Sequence, residues 1–202
     1  VLDGAVVKNL VIEDARVYGY NHVGILAGQI KGESVITDVT VEGTAAANTS
    51  SGGYASDAAV GGLAGKIFGS SSGSRATIEN VTATVNTVNL GATSKTGGIA
   101  GEVSNAYIVD TSVSATGNNI LGRYYVGGIV GAMSSGTSLY NVSVDGTIGG
   151  NGAYAVGGIT GYYEGGEIVV ARMFGEIGKT NAGTAREGIF IGTRKDSVDM
   201  KY

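Results

Sequence analysis

The 202-residue chain reads as an all-β protein, a parallel β-helix of coils of about 30 residues, expected to be right-handed. Three observations predict it. A glycine-closed motif recurs at a near-constant step. A second apolar motif, centred on Asn or Asp, alternates with it. No apolar pattern with a 3.6-residue period runs beyond about one turn, so no substantial helix is expected.

The first motif is seen best as Val126-Gly127-Gly128-Ile129-Val130-Gly131. Related phrases end at Gly28, Gly65, Gly101 and Gly161, and a degenerate one at Gly192. The steps between these glycines are 37, 36, 30, 30 and 31 residues. Val126, Ile129 and Val130 leave no polar side, which predicts one short strand buried on both faces. The glycines would let neighbouring backbone approach closely.

The second motif follows each closing glycine by about ten residues, or fifteen after Gly65, and is built around Asn9, Asp38, Asn80, Asp110 and Asn141. Its last, decayed copy is read as Val169-Val170-Ala171-Arg172-Met173-Phe174. The residues one and three after each Asx are apolar, as Val39 and Val41 or Val142 and Val144. A period of two marks a strand with one buried face. The apolar residue two before the Asx has the wrong parity for that face. A bend at the Asx would return it to the interior, and Asn and Asp tolerate the left-handed backbone such a corner needs. Stacked at about 4.8 Å, five or six coils would give a core roughly 25–30 Å long, with the Asx residues forming a ladder between coils.

The solenoid is assigned to residues 1–192. Two insertions, residues 43–57 and 69–75, flank the motif ending at Gly65 and are expected to form surface loops. Residues 193–202 carry Arg194, Lys195, Asp196, Asp199 and Lys201 and are expected to be a charged cap or a junction to a further domain. Residues 1–12 already read as half a repeat, so the chain is expected to be part of a longer protein.

Composition narrows the function. There are 37 Gly, no Pro and no Cys, and the net charge is −4. Glycine without proline fits tight turns rather than a flexible linker. No Lys/Arg run exists, which argues against nucleic acid as a partner. No apolar run is long enough for a membrane span. Without Cys there is no thiolate nucleophile, and His22 is the single histidine, so no paired-histidine metal site is expected. No Gly-x-Ser-x-Gly elbow is present. Gly149-Gly150-Asn151-Gly152-Ala153-Tyr154 reads as a turn rather than a calcium repeat, since it occurs once and lacks the Asp. Glu13, Glu42 and Asp145 all fall four residues after an Asx, on the outer face. With no Lys or Arg at that register they make a poor polysaccharide-cleaving groove. No catalytic residue, metal ligand or cofactor is therefore assigned to this chain.

Binding is the better expectation. Tyr20, Tyr124, Tyr125 and Tyr154 lie six to eight residues before their closing glycines, and Tyr54 sits in the longer insertion. Tyr124 and Tyr154 should stack between adjacent coils. Tyrosine rows on a rigid face suit protein or glycan contact.

The repeated Gly-Gly-Ile-Val-Gly, followed by an apolar-Asx-Val-x-Val segment, resembles the GLUG repeats of bacterial surface proteins. The opening Gly4-Ala5-Val6-Val7-Lys8-Asn9-Leu10-Val11-Ile12-Glu13 and the phrase Val23-Gly24-Ile25-Leu26-Ala27-Gly28 are similar to the N-terminal, non-catalytic region of immunoglobulin A-specific zinc metallopeptidases of Gram-positive bacteria. That resemblance covers about residues 4–192. It implies a secreted, cell-wall-attached parent with zinc in a later catalytic domain. It implies as partners a host protein such as immunoglobulin A and the neighbouring domains of the same polypeptide. The alternative is a surface adhesin that binds a host glycan or protein.

Overall fold

The computed structural model describes residues 1–47, 58–150, 153–178 and 186–195. These form an all-β solenoid with no helix among the described residues. Strand Leu2–Asp3 is followed by six coils of three strands each. The long strands are Val6–Gly19, Val35–Ala47, Ala76–Asn89, Ala106–Gly122, Ser138–Gly149 and Glu167–Ile177. The short strands are His22–Val23, Ala59–Gly61, Lys95–Gly97, Tyr125–Gly127, Ala155–Gly157 and Arg186–Gly188. The return strands are Ala27–Lys31, Ala64–Phe68, Ala100–Ser104, Val130–Met133, Thr160–Tyr163 and Ile191–Arg194. Each set forms its own sheet, in coil order, and the paired strands run parallel.

The long strand bends where the sequence places its Asx. Asn9, Asp38, Asn80, Asp110 and Asn141 all have φ between 47° and 56°. This is the left-handed region, which Asn and Asp enter at little cost because their short side chains bond locally. The bend delivers Ile36, Ile78, Ile108 and Leu139 to the interior with 0% exposure. Val39, Val81 and Val142 bury from the other side of the corner. Each such residue removes about 1.5–3 kcal/mol worth of apolar surface from water. Like residues stack: Leu63, Ile99, Ile129 and Ile159 form one fully buried row, and Ile30, Ile67, Val103 and Met133 another.

Two expectations are corrected. The glycine motif is not one strand. It splits into a short strand and a return strand, with Gly128 and Ile129 forming the corner between them. The reason is steric. A Cβ on Gly128 would run into the carbonyl oxygen of Gly158 in the next coil, and Gly128 N donates to the Gly157 carbonyl. A Cβ on Gly131 would lie 2.5 Å from the backbone nitrogen of Thr96. Return and short sheets meet there backbone to backbone, which only glycine permits.

The decayed Asx copy also shifts by one residue. Pairing of Tyr140 with Val169 and of Val142 with Ala171 puts Val170 at the corner, so the copy is Ile168–Met173 rather than 169–174. Val170 has φ 56°, an outlier for a β-branched residue. The stack imposes the bend even where the side chain resists it.

Candidate functional site

The corner row is a set of side-chain rungs. Asn80 Nδ2 donates to Asp38 Oδ1 at 2.6 Å, and Asn141 Nδ2 to Asp110 Oδ1 at 2.6 Å. Arg172 reaches back to Asn141 Oδ1 at 3.1 Å, in the coil where Val170 supplies no amide. These bonds tie coil to coil and leave little to hold a ligand. The carboxylates do not converge either. Asp145 and Glu42 share a row, but Thr84 and Ser114 stand between them, and Glu13 lies at a register break. Among the described residues no group of three or more His, Asp or Glu could hold a metal ion.

A different feature gathers chemistry. Positions 95, 125, 155 and 186 of the short sheet share one row, and positions 102, 132, 162 and 193 of the return sheet share another. The two rows meet across the glycine corner. In the third coil the contact is electrostatic: Lys95 and Lys66 hold Glu102 at 3.0 and 2.9 Å. Burial would raise the Glu102 pKa, but the bonds from the two lysines outweigh it and hold the carboxyl below its ordinary value. In the fourth and fifth coils the contact is aromatic. Tyr125 stacks on Tyr162 with centroids 4.6 Å apart and planes 13° apart. Tyr124 stacks on Tyr154 at 4.9 Å and 13°. Tyr124 and Tyr125 tilt together at 4.4 Å.

The sixth coil adds charge to this cluster. The Arg186 guanidinium lies 4.8 Å from the Tyr154 ring centroid and donates to the Tyr154 hydroxyl. Lys195 Nζ donates to Glu164 Oε1 at 2.7 Å, and Ser134 Oγ donates to Glu164 Oε2 at 3.0 Å. The lysine bond holds the Glu164 carboxyl below its ordinary range. Together Tyr125, Tyr154, Tyr162, Arg186, Thr193, Arg194 and Lys195 line an open groove of about 370 Å³. Burial, followed by the field and hydrogen bond of Tyr124, pushes the Tyr125 phenol well above its ordinary range.

Of the tyrosines singled out by spacing, Tyr124, Tyr125 and Tyr154 come together. Tyr20 does not join them; it lies in the first coil, 58% exposed. Tyr54 lies outside the described residues. The sequence reading noted that Tyr162 follows Gly161 but did not group it with these tyrosines, and it assigned Arg194 and Lys195 to a charged cap. Only knowledge that the two rows meet across the corner would have found them. Tyr163, which follows Tyr162, is buried and donates its hydroxyl to the Gly166 carbonyl at 2.6 Å.

Fold and groove define a parallel β-solenoid with an aromatic, cationic face near one end. The comparisons agree with that class. Residues 56–89, which span the Gly65 corner and the third long strand, match the family model of the GLUG motif. No curated protein matches the chain. A crystal structure of a proposed immunoglobulin A1 protease from Bacteroides ovatus superposes with a TM-score of 0.54 at 16% identity. That match covers 95% of this chain and 57% of the other protein, and it establishes a shared fold.

Proposed function

We propose that this chain is a non-catalytic β-helix region of a secreted, cell-surface zinc metallopeptidase resembling the immunoglobulin A peptidases. Its task is to recognise or position the protein substrate; cleavage belongs to a separate domain of the parent. The observation that carries the reading is the tyrosine–arginine groove, built on three consecutive coils of a rigid stack. Such a scaffold presents aromatic anchors with little ordering cost on binding. The GLUG match and the shared fold with a proposed immunoglobulin A1 protease support the choice of parent.

The test is a titration of the 202-residue chain against human immunoglobulin A. Saturable binding that is lost when Tyr124 and Tyr154 are both replaced by Ala is the expected result. Absence of binding at tens of micromolar would overturn substrate recognition. Attachment to a glycan array instead would favour the adhesin reading.

A further inference from the structure

The groove has a chemical preference that goes deeper than aromatic contact. Among the described residues its lining holds Arg186, Arg194 and Lys195 and no carboxylate, with Glu164 bonded to Lys195 at its edge, on a chain whose net charge is −4. The positive face is therefore local rather than a property of the whole surface. Arg186 is fixed in place by its ring contact and its bond to the Tyr154 hydroxyl. A guanidinium carries five N–H donors in a planar fork, so one bond to a phenol leaves a geometry suited to a carboxylate.

The ring faces, by contrast, are largely spent on one another. Tyr154 is stacked against Tyr124 in the preceding coil and covered by Arg186 in the following one. Tyr125 is stacked against Tyr162 and flanked by Tyr124. A sugar ring needs an open aromatic face to lie on, and this cluster offers mainly edges, hydroxyls and cations. Charge and hydrogen bonding are left as the means of recognition.

We infer that this groove binds the carboxylates of an acidic peptide segment, an Asp- or Glu-bearing stretch of a protein partner. Arg186 meets a carboxylate in bidentate fashion, Lys195 supplies a second cation shared with Glu164, and the tyrosine edges take the apolar part of the segment. This inference rests on the substrate-recognition reading and narrows it to a class of substrate sequence.

The experiment is calorimetric titration of the 202-residue chain with hexaglutamate, hexalysine and 3′-sialyllactose. Saturable binding of hexaglutamate alone is expected, weakening by about tenfold or more from about 20 to about 500 mM salt, because the charges lie at a screened surface. Replacing Arg186→Ala together with Lys195→Ala should weaken it by roughly tenfold or more, and Arg186→Lys should retain part of the loss, since charge without the fork keeps only one of its two features. Both side chains are exposed, and an unchanged melting temperature shows that the variants fold. Hexalysine binding equal to hexaglutamate, or hexaglutamate binding untouched by the double substitution, overturns the inference. Tighter binding of the sialylated sugar also overturns it and gives the groove to an anionic glycan. Immunoglobulin A binding that survives the double substitution sinks the groove but not the antibody reading. Hexaglutamate binding without antibody binding does the reverse.

Discussion

Asn141 and Val170 stand at the same place on neighbouring coils, with φ 51° and 56°, yet their surroundings differ. Around Asn141 the inner rows are sealed: Leu139, Val142 and Val144 are fully buried. Around Val170 the matching Ile168, Ala171 and Met173 are only partly buried. The same contrast holds at the glycine corner. Central coils have Gly62, Gly98, Gly128 and Gly158 where the first and last coils have Ile25 and Ile189. A coil held on both sides must match its neighbours' backbone, whereas a coil held on one side can give way to a side chain. Stability in such an array is a sum of coil and nearest-neighbour terms, so position along the stack decides what a substitution costs.

The sharpest way to break this comparison is a charge in the buried isoleucine row. Ile129→Asp is expected to cost several kcal/mol and to unfold adjacent coils, because the carboxylate enters a dry stack. Phe190→Asp, at the equivalent place in the last coil and 46% exposed, should cost far less. Urea melts of the two variants check it, and equal midpoints would dismiss the distinction between inner and end coils. Gly128→Ala should cost about 1–3 kcal/mol, since the added methyl meets the Gly158 carbonyl and the Val144 side chain. Ile189→Ala should stay within roughly 0.5 kcal/mol of the parent in the same assay.

Val170→Asn should stabilise the chain by about 1 kcal/mol, because it relieves a β-branched residue in the left-handed region. Asn141→Val should cost more than that gain, since it adds the strain and removes the bond to Asp110. A thermal melt of each decides the sign.

The smallest expected effect is on pH. Glu102 and Glu164 both have carboxyls held below the ordinary value of 4.5, the first despite burial and the second by the Lys195 bond. A depressed carboxylate stabilises the fold above its unfolded pKa and loses that contribution as pH falls through the folded one. Stability should therefore drop below about pH 4.5, more through half-buried Glu102 in the centre than through the exposed Glu164 pair at the end. Lys66→Gln with Lys95→Gln should flatten the acid limb, and Lys195→Gln should barely change it.

Periodicity made the fold readable. The Asx corner, its left-handed backbone and the buried residue two places before it all follow from one parity conflict in the sequence. The stack of Tyr124 on Tyr154 follows from their equal distance to a closing glycine. The shift at Val170 was hidden because the residue that marks the register is itself missing there. The split of the glycine motif was hidden because a run without a polar side looks alike in one strand or across a tight corner. The grouping of Tyr162, Arg186 and Lys195 with these tyrosines was hidden for a third reason: Tyr162 and Lys195 reach the groove from the return side of the corner, and Arg186 from a later coil of the short sheet, where Ala155 separates it from Tyr125.

The corner residues run Asn9, Asp38, Asn80, Asp110, Asn141, an alternation of amide and carboxylate along the axis. No carboxylate on that row has another as its immediate neighbour. Lengthening the rod by copying a single coil would set Asp beside Asp, or Asn beside Asn, at a spacing of about 4.8 Å. Like charges that close are repulsive, and two amides forgo the charge-assisted bond that Asn80 and Asn141 now give Asp38 and Asp110. Copying two coils at once keeps the Asn-to-Asp pairing. The unit that preserves these corner bonds is thus a pair of coils, although the structural unit is one.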